Sequence, residues 1–241
     1  MRALIPAVLI ALLVLAAACS PPTAQNPGPS EPAARQDLFV PGCAGPLGSP
    51  SPPRGVRGDV DGDGRSDRVS LIVDRRAEPG CRAFVVVRSR DRLSAAALDD
   101  SLISFELGFP RLNSLPAIDS EPGLEIVVDV AQGASTSFVE VLTFSQGRPT
   151  PVRPAPVSGI PAGLFAHGGS VGHLDAVDCR RGLVMVSSAA AHSRGYQVTR
   201  RFLEPQGPRW PLRPSLTQRN TIRPQQIGRF EEFSAPPFAS C

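Results

Sequence analysis

Six short runs of Val, Ile, Leu and Phe constrain the fold of this chain more than any other feature. The runs are RVSLIV (68–73), RAFVVVR (82–88), LEIVVDV (124–130), SFVEVLTF (137–144), GLVMVSSA (182–189) and YQVTRRFLE (196–204). Runs of this length, rich in β-branched and aromatic residues and flanked by turn-forming residues, are typical of β-strands. Only RDRLSAAALDD (90–100) tolerates a helix. The sequence therefore predicts an all-β, or mainly β, fold.

The first 36 residues have the pattern of an export signal followed by a tether. Arg2 precedes an apolar run, ALIPAVLIALLVLAAA (3–18), that is too short to cross a bilayer comfortably, which predicts a signal peptide over residues 1–18. The stretch LAAAC resembles a bacterial lipoprotein signal, in which Cys19 would receive the lipid. Residues 16–18 also fit an ordinary A-x-A cleavage site, so plain secretion stays open. Residues 19–36 are rich in Pro, Ser and Ala and are expected to be a tether, which leaves one mainly β domain over 37–241.

Four cysteines remain beyond the lipidation site. They are Cys43, Cys81, Cys179 and Cys241. An even number of cysteines in an exported chain predicts two disulfides, and none of the four lies in a C-x-x-C arrangement that would favour zinc. We favour Cys43–Cys81 with Cys179–Cys241, because each bond would then close one end of the domain. A Cys43–Cys241 bond, which would join the two ends, is the alternative.

Self-comparison indicates three degenerate units of about 58 residues. The segment DGDGRSDRVSLIVD (61–74) aligns with DSEPGLEIVVDVAQ (119–132) at an offset of 58. That offset places Asp67 on Glu125. A second alignment, of LEIVVDVAQGAS (124–135) with LVMVSSAAAHSR (183–194), has an offset of 59. The pattern of a turn followed by a strand thus recurs, while the acidic residues become fewer along the chain.

The segment DVDGDGRSD (59–67) holds four carboxylates within nine residues. Such a loop needs a counter-charge, and Ca²⁺ takes six to eight oxygen ligands from acids that alternate along a chain. We expect the ligand set to be the side chains of Asp59, Asp61 and Asp63, the backbone carbonyl of Arg65, and the Asp67 carboxylate directly or through water. Gly62 and Gly64 would allow the tight turn.

An EF-hand shares several positions of this loop but requires a bidentate Glu at its twelfth position. That position is Ser70, inside a predicted strand, so the EF-hand is excluded. Without that ligand we expect weak Ca²⁺ affinity, on the order of 10⁻⁴ to 10⁻³ M, as in extracellular modules.

The segment GDVDGDGRSDRVSL (58–71) resembles the calcium-loop signature of FG-GAP or VCBS repeats, the blade units of integrin-type β-propellers. The close match is limited to Gly58–Leu71, and the later units resemble the pattern only faintly. The resemblance implies a calcium-binding blade. The length of the chain allows only a small, degenerate propeller-like array, or a β-sandwich that keeps one such loop.

The segment FAHGGSVGHLDAVD (165–178) is the candidate for catalysis. It groups His167, His173, Asp175 and Asp178 around glycines, and together with His192 it contains every histidine. An extracytoplasmic hydrolase using His167–Asp178 is therefore the alternative function. The spacing lacks H-x-H and H-x-x-x-H.

Two further enzymatic patterns are weak. Ser170 lies in GGSVG, which resembles a nucleophile elbow only loosely. A carboxylate pair for glycoside cleavage could come from several acids in the middle of the chain, and their spacing selects none: Glu121, Glu125, Asp129 and Glu140. Only 5% of the residues are aromatic, which provides few stacking surfaces for sugars.

These observations predict an exported, lipid-anchored cell-envelope protein that acts as a non-enzymatic binding or structural module. Its expected partners are the membrane, through the lipid, and an envelope protein or polysaccharide. A nucleic-acid partner is excluded because no basic run is longer than two residues. A purely structural remnant of a longer repeat protein remains another interpretation.

Overall fold

A computed structural model describes residues 40, 42–43, 55–90 and 92–241, all of which belong to one compact unit. This part of the chain is built from antiparallel β-strands with a few short 3₁₀ helices, so the all-β prediction is confirmed. The predicted signal peptide, the lipidation site Cys19 and the tether over 19–36 lie outside the described residues.

The described strands fall along the chain in the order β1 (Val56–Gly58), β2 (Asp67–Val73), β3 (Ala83–Ser89), β4 (Arg92–Ala97), β5 (Arg111–Ser114), β6 (Ile126–Gln132), β7 (Thr136–Ser145), β8 (Arg148–Pro151), β9 (Arg153–Pro154), β10 (Leu164–Ser170), β11 (His173–Arg180), β12 (Leu183–His192), β13 (Gly195–Leu203), β14 (Arg209–Trp210) and β15 (Gln218–Ile222). The 3₁₀ helices span Asp100–Leu102, Phe105–Leu107, Pro214–Leu216, Pro224–Arg229 and Glu231–Phe233.

Twelve of these strands form three consecutive four-stranded antiparallel meanders. The first is β1 to β4, the second is β5 to β8, and the third is β10 to β13 with β15 added at its edge. The second and third meanders share one sheet because β7 is long enough to pair with two strands along the same edge. Its first half pairs with β10 and its second half with β8. Strands β9 and β14 form a short parallel pair beside them.

Apolar residues of the meanders build two main cores. The first core lies between the first and second meanders and includes Val69, Val85, Ile126, Val128 and Leu142. The second core joins the second and third meanders, and in it Trp210 and Phe238 pack among the valines of β6, β7, β11 and β12. Because side chains alternate along a strand, β6 contributes to both cores, with Val127 in the second.

The loop between the first and second strands differs in length among the three meanders. The second strands of the first two meanders each follow a long loop, whereas only Val171 and Gly172 separate β10 from β11 in the third meander. The alignment of 124–135 with 183–194 therefore places the second strand of one meander on the third strand of the next. The acidic loop has no counterpart before β11.

Both favoured disulfides are present. Cys43 is bonded to Cys81, and Cys179 is bonded to Cys241, so the predicted pairing is confirmed and the Cys43–Cys241 alternative is wrong. The second bond holds the end of the chain beside β11. Disulfides persist in oxidising compartments, which indicates an extracytoplasmic location. Among the described residues, no helix is long and apolar enough to cross a membrane.

Candidate functional site

The first acidic loop, residues 59–67, brings three of its carboxylates together. Asp59, Asp61 and Asp67 each offer one oxygen atom, and these atoms all lie within 4.8 Å of one another. Two ligands on opposite sides of one Ca²⁺ ion are about 5 Å apart, since each Ca²⁺–oxygen distance is about 2.3–2.6 Å. The three carboxylates are therefore close enough to bind a single ion.

Asp59 organises the turn between these acids. Its Oδ1 accepts a hydrogen bond from the Gly62 N–H and its Oδ2 accepts one from the Gly64 N–H, both at 2.9 Å. The two glycines have φ values of +74° and +81°, a left-handed conformation that other residues adopt only with strain. The D-x-D-G-D-G pattern is thus explained by local backbone geometry as well as by charge.

Asp67 closes the loop from inside the protein. It is the first residue of β2 and is only 3% exposed. Its Oδ2 accepts hydrogen bonds from the backbone N–H of Val60 at 2.9 Å and of Asp61 at 3.2 Å. Hydrogen bonds to a charged acceptor are stronger than neutral ones, so this carboxylate fixes the loop to the sheet.

The other two expected ligand residues lie further out. Asp63 is exposed and does not belong to the group of converging carboxylates. Its Oδ1 accepts a hydrogen bond from the Arg65 N–H at 2.8 Å, and Arg65 is exposed as well. These contacts shape the outer rim of the loop.

The second loop, residues 117–125, repeats the closure of the first. Ile118 donates its backbone N–H to Glu125 Oε2 at 2.7 Å, and these residues correspond to Val60 and Asp67 at the offset of 58. The two apolar donors are equally well buried. The repeat detected in the sequence is therefore matched by equivalent hydrogen bonds.

The second loop lacks the convergent acids of the first. Among the described residues, Asp119, Glu121 and Glu125 do not form a group of carboxylates close enough to hold one ion. Burial raises the pKa of Glu125 to about 7, against the hydrogen bond from Ile118, which lowers it. Burial also raises the pKa of Asp119. Burial therefore favours the protonated form of both acids.

The two loops pack directly against each other. The Leu124 N–H donates to the Asp59 carbonyl oxygen at 2.9 Å. A Cβ atom on Gly62 would lie 2.6 Å from the Pro122 carbonyl oxygen, and one on Gly123 would lie 2.8 Å from the Val60 carbonyl oxygen. Glycine at both positions allows this close backbone approach, so the geometry of the first loop depends on the second meander.

The histidine segment forms the hairpin of β10 and β11, and it does not bring its residues to one point. His173 Nε2 lies 2.9 Å from Asp175 Oδ1. Asp178 instead accepts a hydrogen bond from the Ser240 N–H near the end of the chain, at 2.7 Å. His167 has Asp129 as its charged neighbour, and burial lowers the pKa of His167. His192 and Ser170 are exposed.

The remaining acids considered for catalysis also lie in different surroundings. Glu121 is exposed, and Asp129 accepts two hydrogen bonds from the Asn113 amide. Glu140 is 5% exposed and lines a cavity that Asp99 also lines. Sequence reasoning missed this pairing of Glu140 with Asp99. The available signal was a single charged residue at an inward position of the apolar run FVEVLTF.

Comparison with known proteins gives no family assignment. No family model matches the chain, and no curated protein or solved structure matches it. The fold and its covalent bonds define the coarse class, an all-β, disulfide-bonded domain of an oxidising compartment.

Proposed function

We propose that this chain is an exported, lipid-anchored cell-envelope protein whose β domain binds Ca²⁺ at the first acidic loop and serves as a non-enzymatic binding or structural module. The observation that supports it best is the convergence of Asp59, Asp61 and Asp67 in a loop whose backbone already has the turn such a site needs. Ca²⁺ is the natural cation because every side-chain ligand is a carboxylate oxygen.

The position of the loop in the fold supports the FG-GAP or VCBS resemblance. The loop joins the first two strands of a four-stranded antiparallel meander, and propeller blades are four-stranded sheets of this kind. A second meander packs on the first and keeps the loop closure without the acid cluster. The array would then consist of one metal-binding unit and degenerate neighbours.

The role of the ion in this proposal is to fasten the first meander to the second. The loop contacts the second loop through Leu124 and Pro122, so a cation that fixes Asp59 also fixes the contact between the two loops. The lipid on Cys19 and the tether over 19–36 would present this domain to an envelope protein or polysaccharide.

Thermal unfolding in EDTA and then in 10 mM CaCl₂ tests the proposal. At 10 mM, about 10 to 100 times the expected dissociation constant, a ligand that binds only the folded state stabilises it by about 1.4–2.7 kcal/mol. For a domain of this size that corresponds to roughly 3–10 °C in Tm. We expect Ca²⁺ to raise the Tm of the native protein and to have no effect on an Asp59→Asn, Asp61→Asn double variant.

The matched control is Asp119→Asn with Glu121→Gln, which removes the equivalent acids of the second loop. We expect this variant to keep the full response to Ca²⁺. If the native protein shows no rise in Tm, or if both double variants lose the response equally, the first loop is not the Ca²⁺ site.

A further inference from the structure

A cavity of about 580 Å³ opens beside the end of the first meander and contains two carboxylates. Its walls include the apolar side chains of Leu98, Leu102, Val152 and Leu164, with Asp99 and Glu140 as the two acids. Its volume is within the range of small-molecule sites, and such sites combine apolar walls with a few polar groups. The acidic loop does not line this cavity.

Glu140 occupies a position that the fold would otherwise fill with an apolar residue. It lies in the middle of β7, paired with Val128 on one side and Leu164 on the other. Because side chains alternate along a strand, Glu140 shares its face with Phe138 and Leu142, which both belong to the first core. A glutamate between four apolar neighbours is costly unless a partner satisfies it.

The described part of the protein satisfies this carboxyl only in part, through a hydrogen bond from the Asp99 backbone N–H that lowers the Glu140 pKa. Glu140 is 5% exposed, and none of the described residues hydrogen-bonds its buried Oε2 atom. Neither Glu140 nor Asp99 forms an ion pair with any described residue. Buried polar groups in folded proteins are almost always hydrogen-bonded, so an unpaired carboxylate oxygen beside a cavity indicates a ligand that donates to it.

The charges around the cavity define the ligand further. Burial raises the pKa of Glu140 to about 7 and the negative charge of Asp99 raises it as well, against a hydrogen bond from the Asp99 backbone N–H, which lowers it. Arg153 also lines the cavity, and the nearby Asp100 carboxylate is engaged by the Gly80 N–H and by Arg82. Asp99 and Glu140 are the two acids that line the cavity, and a cation placed between them would favour the ionised form of Glu140.

We propose that this cavity binds a small organic ligand that carries a protonated amine on a short apolar chain. The ammonium group would donate hydrogen bonds to Glu140 and lie near Asp99. The chain would contact Leu98, Leu102 and Leu164. A metal ion fits less well, because hard cations require six or more oxygen ligands and most of this wall is apolar.

Calorimetric titration with n-butylamine, using the mature disulfide-bonded protein at pH 8, tests the assignment, and n-butanol serves as the neutral probe of the same size. We expect n-butylammonium to bind and n-butanol to bind at least tenfold more weakly. Glu140→Gln keeps the shape of the side chain and removes its charge, and should weaken binding of n-butylammonium at least tenfold.

Two further variants separate a local effect from a loss of fold. Glu125→Gln changes another buried glutamate outside this cavity and should leave affinity for n-butylammonium unchanged. Asp99→Asn changes the exposed acid at the cavity and should weaken binding of n-butylammonium. Circular dichroism checks that each variant is folded.

The pH dependence of the affinity for n-butylammonium provides an independent test. Protonation of a group with a pKa of about 7 should lower the affinity about tenfold between pH 8 and pH 6, while the amine stays charged. Absence of binding would mean that the cavity holds only water. That outcome, equal binding of n-butanol, or full affinity in a folded Glu140→Gln variant would each overturn the proposal.

Discussion

The backbone N–H of Val60 donates to Asp67 Oδ2 at 2.9 Å, and this bond closes the first acidic loop. The equivalent bond from Ile118 to Glu125 closes the second loop, where the acids do not converge. The hydrogen bond that closes the loop is thus present in both units, although the carboxylates converge only in the first. The buried carboxylate therefore has a structural role that does not depend on metal.

Replacement of Asp67 by Ala should destabilise the protein even without Ca²⁺. The change leaves the N–H groups of Val60 and Asp61 without their acceptor, and each lost bond to a charged group costs about 1.5–3 kcal/mol. Urea unfolding in EDTA, followed by the fluorescence of the single buried Trp210, should show a loss of about 3–6 kcal/mol. Asp63→Ala, at an exposed position, is the control and should change stability by less than about 1 kcal/mol. Equal losses would contradict the structural role of Asp67.

Two glycines of the same loop provide a matched pair of substitutions. Gly62→Ala and Gly64→Ala both place a side chain at positive φ, which costs about 1–2 kcal/mol. A Cβ atom on Gly62 would also clash with the Pro122 carbonyl oxygen, whereas one on Gly64 would meet open space. Chemical denaturation should therefore show a larger loss for Gly62→Ala. A loss of the same size in both variants would mean that the contact between the two loops does not constrain Gly62.

Much of this fold follows from local pattern. The apolar runs predict the long strands correctly because their side chains alternate between two buried faces, as in β6 and β7. The offset of 58 predicts the matched bonds at Asp67 and Glu125, since each carboxylate accepts from an apolar residue seven positions earlier in the chain. The third unit escapes this comparison because a two-residue turn, Val171 and Gly172, replaces its loop.

The residues of the candidate sites were harder to predict from the sequence than the strands. Spacing along DVDGDGRSD predicts which acids can converge, but the outward position of Asp63 depends on how the turn is hydrogen-bonded. The meeting of Asp99 with Glu140 depends on how one sheet packs on another, which no local spacing reports. The histidines are close in sequence, yet strand pairing directs His167 and His173 to different acids.

Loss of the Cys179–Cys241 bond should release the end of the chain from the second core. The bond closes a segment with a sequence separation of 62, and the loop-entropy relation gives about 4 kcal/mol of stabilisation for that length. Phe238 packs edge-on against Phe165, which in turn contacts Trp210. A Cys179→Ser, Cys241→Ser variant should unfold at lower urea concentration and show altered Trp210 fluorescence before global unfolding. Cys43→Ser with Cys81→Ser should lower stability by a similar amount without that early change, because these cysteines pack in a separate small cluster with Phe84 and Val86, whereas Trp210 lies in the second core.

Two buried glutamates should make the protein less stable as the pH rises. Burial raises the pKa of both Glu125 and Glu140 from 4.5 to about 7 in the folded chain. Between these values the folded state holds more protons than the unfolded state, so the free energy of unfolding falls as pH rises, and it levels off above pH 7. Each group fully protonated at low pH contributes up to about 3 kcal/mol of this change.

Glutamine at either position should remove its share of that pH dependence. The stability of Glu125→Gln relative to the native protein is expected to rise by up to about 3 kcal/mol between pH 4.5 and pH 7.5, because the amide needs no proton to remain buried. Glu140→Gln should behave in the same way, and the double variant should combine both effects, since the two residues line separate cavities. Urea unfolding at half-unit pH steps in metal-free buffer measures these differences. Exposed Glu78→Gln is the control, and its curve should run parallel to that of the native protein. A parallel curve for Glu125→Gln as well would show that this buried carboxyl does not hold its proton in the folded state.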